Sequence, residues 1–262
     1  MELKLFQVDS FTDKVFSGNP AAVIVLNSWI EDDHMQSMAL ENNLSETAFL
    51  VEKSNNFYEI RWFTPKTEVD LCGHATLAAA HVLFNRYGVR GKELEFFSPK
   101  SGPLKVVKSK DELTLDFPAD SPTPSDPPNG LYEAIGLTPS ECLKGRTDYM
   151  LILKDQDAVE RLDPNFHLLQ YIPARGIICT APGKDFDFVS RFFASASGID
   201  EDPVTGSAHT TLAPYWSAKL GKSKLTARQI SKRGGNLTCE VKDDRILMTG
   251  KAVIYFEGVA TV

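Results

Sequence analysis

The sequence has no excess of positive charge and no long hydrophobic run. Its 262 residues carry 28 Lys and Arg against 35 Asp and Glu, a formal charge of −7, whereas proteins that bind the nucleic-acid backbone usually present a basic face. No apolar run approaches the roughly 18 residues of a membrane span, and no basic, apolar leader opens the chain. We therefore expect no nucleic-acid partner, no membrane anchor and no export.

Cysteine is also scarce, and the four that are present form no C-x-x-C pair: Cys72, Cys142, Cys179 and Cys239. This spacing predicts neither a zinc knuckle nor a dense disulfide framework, and the simplest location for such a chain is the cytoplasm. His74 and His81 share a helix face, but no third ligand is near them in sequence. Phosphate-loop, dinucleotide and nucleophile-elbow motifs are absent. We therefore expect a site without metal or cofactor.

Proline is concentrated in one place. The segment from Pro118 to Gly130, PADSPTPSDPPNG, holds five prolines and almost nothing apolar, which is typical of a semi-rigid linker. Since the chain is long enough for two moderate domains, we place a boundary here. The predicted domains are residues 1–117 and 118–262.

The pattern of apolar residues indicates strands and helices in both halves. The alternation in FYEIRWF predicts a hairpin partner for the strand TAFLVEK, and the segment from DAVERL to LLQYI predicts a helix. Ser28 and Glu31 have the spacing of a capping box and predict a helix that runs to about Asn42. A helix that is apolar nearly all round follows Gly73, and a similar one follows Gly206. The two glycines are 133 residues apart, about half the chain. We interpret this spacing as an internal duplication, although a chance likeness of two Ala-rich helices explains it as well.

Several residues in these patterns could carry chemistry. A glycine that opens a helix leaves free N–H groups at the positive end of the helix dipole, so Gly73 and Gly206 with Ser207 predict cradles for an anion. The alternative is that each glycine merely permits a tight turn. Glu46 precedes an apolar strand, where burial would raise its pKa toward that of a general acid/base. It could equally be a solvated loop residue.

Three further residues near the glycines have two readings each. His74 could shuttle protons beside an anion or serve as a core or capping residue. Asp202 could assist the chemistry or only cap the turn at Pro203. Cys72 precedes the first helix, where a thiol pKa falls, but its interpretation as a small apolar residue in a tight turn is the stronger one. The position of Cys72 corresponds to Thr205 in the second half.

These residues lie in segments that resemble the PhzF-like, or phenazine biosynthesis-like, family, which is related to diaminopimelate epimerase and proline racemase. The similar segments are VDSFTDKVFSGNPAAV, NLSETAF, RWFTPKTEVDLCGHATLAAA, GIDEDPVTGSAHTTLAPYW and GGNL. The resemblance implies an α+β protein of two similar diaminopimelate epimerase-like domains. Each would be a curled mixed sheet around a central helix, with the active site in the cleft between the domains and a last strand that may return to the first. It also implies a homodimer.

The resemblance also implies roles for single residues. Glu46 matches the family's acid/base glutamate, His74 the assisting histidine and Asp202 the assisting aspartate. The carboxylate of the substrate would lie at Gly73, Gly206 and Ser207.

We therefore expect an isomerase that moves a proton within a small carboxylate-bearing metabolite. One alternative is an epimerase or racemase that uses Cys72 and a second base, although Thr205 stands where the epimerases have their second cysteine. The other alternative is a non-catalytic binding protein on the same scaffold.

Overall fold

The computed structural model describes residues 1–262, which form two compact units. The first unit comprises Met1–Phe117 and Met248–Val262, and the second comprises Pro118–Leu247. The second predicted domain runs to residue 262 with a last strand that is a candidate to return to the first domain, and the residues from 248 onward do belong to the first unit. The cause is the pairing of the last strand with the first strand of the chain.

The first unit is a mixed sheet with two helices. Its elements are β1 (Glu2–Ser10), β2 (Asn19–Leu26), α1 (Asp32–Asn42), β3 (Glu46–Ser54), β4 (Phe57–Phe63), β5 (Glu68–Val69), α2 (Gly73–Arg86), β6 (Glu93–Ser98), β7 (Gly102–Ser109) and β8 (Glu112–Pro118). Antiparallel pairs join β1 to β2, β3 to β4, β4 to β5, β6 to β7 and β7 to β8. Strands β2 and β3 are parallel, as are β4 and β6. The FYEIRWF segment thus pairs with TAFLVEK, as its alternation predicts.

The second unit has its own mixed sheet. Its elements are β9 (Thr123–Pro124), α3 (Leu131–Ile135), β10 (Glu141–Lys144), β11 (Asp148–Ile152), α4 (Gln156–Glu160), α5 (Phe166–Leu169), β12 (Gly176–Pro182), β13 (Phe188–Ala194), β14 (Ile199–Asp202), α6 (Gly206–Leu220), β15 (Lys224–Gln229) and β16 (Gly235–Lys242). Strand β17 (Arg245–Gly250) begins in the second unit and ends in the first. The chain then forms β18 (Ala252–Thr261), which is antiparallel to β1.

The two sheets repeat one order of pairing. In the first unit, β1 to β4 and then β6 and β7 pair in the order antiparallel, parallel, antiparallel, parallel, antiparallel. In the second unit, β10 to β13 and then β15 and β16 pair in the same order. Helix α2 precedes β6 as α6 precedes β15. The repeated topology supports the internal duplication.

The two glycine-led helices bury more residues than any other helix of their units. Helix α2 packs on β1, β2, β3 and β18, and α6 packs on β15 and β16. Pro214 lies inside α6 and cannot donate the helical bond to the carbonyl of Thr210. The backbone N–H of Asp120 donates to that carbonyl instead, at 3.1 Å. The helix therefore keeps its length because a neighbouring segment satisfies the free carbonyl.

Two local predictions from the sequence are wrong. Helix α1 begins at Asp32 rather than Ser28, because Trp29 donates to Glu59 and packs on the core beside the helix. The helix predicted after residue 156 is two short helices, α4 and α5, because Pro164 stands between them. The second unit begins at Pro118, where the boundary is predicted, and within the proline-rich segment β9 pairs with β10. No helix combines the length and apolar character of a membrane span.

Candidate active site

The first unit brings Glu46 and His74 into contact. Glu46 is the first residue of β3, and His74 is the second residue of α2. Oε2 of Glu46 lies 3.1 Å from Nε2 of His74, and the side chains are 14% and 6% exposed. Both atoms are buried, and neither has another polar partner. A carboxylate and an imidazole therefore meet at the amino end of the buried helix.

Asn19 and Ser45 set the tautomer of the neutral His74 ring. The Ser45 hydroxyl donates to Oδ1 of Asn19 at 3.2 Å, which orients the amide so that Nδ2 faces Nδ1 of His74 at 3.3 Å. An amide nitrogen can only donate, so Nδ1 of the neutral ring accepts and the ring proton lies on Nε2. This proton faces the Glu46 carboxylate.

Cys72 lies behind His74, with its Sγ 3.5 Å from Nδ1. Burial raises the pKa of the Cys72 thiol to about 11, and the Glu46 charge adds to this rise. Burial acts to lower the pKa of His74, but the contacts with Cys72 and Glu46 together outweigh it, so the pKa of His74 is well above its usual value. At neutral pH, Cys72 is a thiol, and the Nε2 proton of His74 faces Glu46 whether the ring is neutral or charged.

The same three residues have the side chains that zinc binds. One ligand atom from each of Glu46, Cys72 and His74 lies within 4.8 Å of the others. Zinc binds the thiolate form of cysteine, and the raised pKa of Cys72 opposes that form. The cluster has the donor types of a metal site but holds its sulfur in the weaker-binding state.

Helices α2 and α6 both begin without a side-chain cap. Their N-cap residues, Cys72 and Thr205, are extended and accept no hydrogen bond from the first turn, and no acidic residue lies in either first turn. By contrast, the short helices α4 and α5 are capped by Asp155 and Asn165. The first N–H groups of a helix attract anions when no side chain satisfies them. Both central helices therefore begin without a side-chain cap for their first N–H groups.

Gln229 organises the turn before α6. Its buried amide accepts from the N–H of Thr205 at 2.9 Å and donates to the carbonyl of Asp202 at 2.6 Å. The Thr205 hydroxyl donates to Oδ2 of Asp202 at 2.5 Å. The Asp202 carboxylate is thus oriented at the amino end of the helix, as Glu46 is in the first unit.

Arg175 reaches the same end of α6. Its Nη1 donates to Oγ of Ser207 at 2.8 Å, and its other nitrogens hold Asp148, whose side chain is 1% exposed. Its guanidinium carbon lies 5.4 Å from the centre of the Phe192 ring. A fixed cation therefore adjoins the second residue of the helix.

The residues predicted from sequence fall into two groups, one in each unit. Glu46, Cys72, Gly73 and His74 lie together in the first, and those of the second are Asp202, Gly206 and Ser207. The sequence reasoning missed Asn19, Ser45, Arg175 and Gln229. The SGNP turn and the Ser-Glu pair could have indicated the first two residues, whereas no local pattern marks the contacts of Arg175 and Gln229.

The sequence and the structure of this chain are similar to those of known proteins. A family model described as phenazine biosynthesis-like protein matches residues 8–258. Two uncharacterised isomerases of Pseudomonas aeruginosa are 51% and 49% identical to the chain, and each match covers 98% of both proteins. A crystal structure of a PhzF family protein from Enterococcus faecalis superposes with a TM-score of 0.96, at 46% identity over the whole of both chains.

The fold extends to more distant proteins. A hydroxyproline epimerase of Agrobacterium vitis has a TM-score of 0.64 at 10% identity, over 98% of this chain and 92% of its own. At this identity the likeness shows the fold alone. The expected α+β fold, with two diaminopimelate epimerase-like domains, is confirmed.

Proposed function

The chain belongs to the phenazine biosynthesis-like family and is an isomerase, and we propose that it moves a proton within a small carboxylate-bearing metabolite. The observation that carries this proposal is the buried contact of Glu46 with His74. A partly buried carboxylate beside an N–H donor, on a rigid strand, is suited to general acid–base catalysis.

In the proposed reaction, Glu46 is the only group that carries the proton. Its carboxylate removes a proton from one carbon, and the electron pair of that C–H bond moves into the unsaturated system of the substrate. Glu46 then returns the proton to another carbon. The proton and the electrons balance without a metal or cofactor. His74, held by Asn19, would keep the carboxylate oriented through its N–H group.

The remaining predicted residues would hold the substrate. The carboxylate would bind at the N–H groups of Gly73, Gly206 and Ser207, which the missing side-chain caps of α2 and α6 support. Asp202 would assist as a polar partner of the substrate, since Thr205 and Gln229 fix its position. Binding of this kind orients the reacting carbon against Glu46.

The epimerase alternative would require Cys72 to act as a base. A thiol with a pKa of about 11 is protonated at neutral pH, and the corresponding residue of the second unit is Thr205, which carries no acidic thiol. Both observations favour Glu46 as the single base over a pair of cysteines.

The decisive experiment incubates the enzyme in heavy water with a pool of small cyclic and amino acids that carry carboxylates. Mass spectrometry then detects the metabolite that gains solvent deuterium. We expect incorporation with the wild type and none with Glu46→Gln. A pool in which no carboxylate exchanges, or an exchange that survives Glu46→Gln, would contradict the proposal. The homodimer and the cytoplasmic location stay predictions, which the mass in solution and cell fractionation would test.

A further inference from the structure

The amino end of α6 has a positively charged neighbour that the proposed proton transfer does not use. Arg175 is the residue before β12, and its Nε and Nη2 donate hydrogen bonds to the buried carboxylate of Asp148. These two bonds already pair the carboxylate. The third nitrogen, Nη1, points elsewhere and donates to Oγ of Ser207 at 2.8 Å.

This third contact determines what Ser207 can do. Guanidinium nitrogens only donate, so Oγ of Ser207 accepts from Arg175 and its own proton must point to a different acceptor. If the guanidinium moved away, the buried carboxylate of Asp148 would lose its ion pair. An unpaired buried carboxylate is costly in free energy. Ser207 is therefore held as a hydroxyl donor beside the free N–H groups of α6.

The first unit has a carboxylate where the second unit has a glycine. In the parallel pair β2–β3, Ala21 stands opposite Glu46, and in β11–β12, Asp148 stands opposite Gly176. Gly176 thus occupies the place of Glu46. A Cβ at Gly176 would lie 2.1 Å from the Phe192 ring, so no carboxylate side chain fits there.

We propose that Arg175 is the positioning residue of the anion-binding end of α6. It fixes the Ser207 hydroxyl as a donor and adds positive charge beside the N–H groups of Gly206 and Ser207. The second unit therefore binds the carboxylate, while the first carries the base. This inference rests on the proposed function, because it assigns the substrate carboxylate to α6.

The test measures anion binding without turnover. Protein labelled with nitrogen-15 is titrated with sodium sulfate against sodium chloride of equal ionic strength, and the amide signals of Gly206 and Ser207 are followed. For the wild type we expect a saturable shift. For the double variant Asp148→Asn/Arg175→Gln we expect sulfate binding about 10-fold to 100-fold weaker, the range for one charged hydrogen bond. The double variant avoids leaving a buried unpaired carboxylate.

The matched control removes another bidentate pair of the same unit. Arg191 holds Glu201 at 2.7 Å, and Arg191→Gln/Glu201→Gln changes the charge in the same way away from Ser207. We expect this control to bind sulfate as the wild type does, and Arg175→Lys to bind with intermediate strength. The inference is wrong if the wild type shows no shift, or if Asp148→Asn/Arg175→Gln binds within twofold of the wild type. It is also wrong if the control pair weakens binding equally.

These outcomes are separate from those of the proposed function. Sulfate binding requires no proton transfer, so a Glu46→Gln variant should bind sulfate normally. If Glu46→Gln stays active, the proposed function is wrong, whereas an unchanged sulfate affinity in the Arg175 variant refutes only the role of Arg175.

Discussion

The amino ends of α2 and α6 share their construction. Each helix begins with a glycine, and the residue before that glycine is extended and forms no side-chain cap. In both helices the side chain of the fourth residue contacts the carbonyl of the residue before the helix. Thr76 contacts the carbonyl of Cys72 at 2.6 Å, and His209 contacts the carbonyl of Thr205 at 2.8 Å. These shared contacts hold the first turn to the residue before it.

The second helical residue is where the two ends differ. His74 faces the carboxylate of Glu46, whereas Ser207 faces the guanidinium of Arg175. The common scaffold therefore carries a proton-accepting group in one unit and a cation in the other. A duplicated unit can specialise by changing the strand that begins beside the helix while it keeps the helix end itself.

The largest expected effect comes from removing the base of the first unit. Glu46→Gln keeps the shape but cannot take a proton, so turnover should fall by about 10²–10⁴-fold, while fold and ligand binding persist. Deuterium exchange with the substrate measures it, and Glu41→Gln, an exposed change on α1, is the control. If Glu46→Gln retains more than about a tenth of the turnover, above what that range allows, Asp202 or His74 becomes the leading base.

The second prediction concerns acid. Burial lowers the pKa of His209 to about 4, below its unfolded value of about 6.5. The folded state therefore has the full contribution of neutral His209 to its stability above about pH 6.5. This contribution is lost as the pH falls toward 4, which lowers the free energy of unfolding by roughly 3 kcal/mol. Urea unfolding at several pH values measures this loss of stability. His81 adds to the loss, because burial, Lys108 and Arg86 also lower its pKa to about 4.

The variant His209→Gln should be less stable at neutral pH but lose less stability in acid than the wild type. The exposed His34→Gln should leave the wild-type pH dependence unchanged. A His209→Gln protein with the full acid loss would show that another group causes it.

The third prediction tests the anion-binding end of α6. Gly206→Val should block the approach of a carboxylate to the helix N–H groups and raise KM about 10-fold to 100-fold, the equivalent of one charged hydrogen bond. The midpoint of thermal unfolding should change less than KM implies. Ala218→Val adds a similar bulk at an exposed position of the same helix and should leave KM unaltered. A largely unfolded Gly206→Val protein would indicate a packing role instead.

The smallest effect is expected for Cys72. Because its thiol is protonated and buried, Cys72→Ser should reduce turnover by less than about tenfold, below the range for an acid–base group. Steady-state rates before and after treatment with iodoacetamide provide a second measurement. A loss of 10²-fold or more would instead support the two-base epimerase mechanism.

The sequence predicted more of the repeated scaffold than of its contacts. Glycines before apolar helices and the FYEIRWF hairpin are local patterns, and the structure contains them. The start of α1 was wrong because a tertiary contact, Trp29 with Glu59, overrides the capping signal. The family resemblance supplied the roles assigned to Glu46 and Asp202.

The contacts of the site depend on residues that are distant in the chain. Gln229 reaches Thr205 and Arg175 reaches Ser207 only because their strands lie beside α6. Residue spacing cannot show such neighbours without knowledge of strand order. The sequence motif around Glu46 could therefore be recognised, whereas the distant side chains that contact the site residues could not.

The return of the chain through β18 determines when the first unit can be completed on the ribosome. β18 pairs with β1 from Ala252 to Thr261, and the whole second unit is synthesised between them. Until residue 261 has left the exit tunnel, β1 keeps one edge unpaired, and an open edge can pair with other chains. The unit that contains Glu46 should therefore be completed last, so that a growing chain can fold its second unit before the contact of Glu46 with His74 is held in a finished sheet.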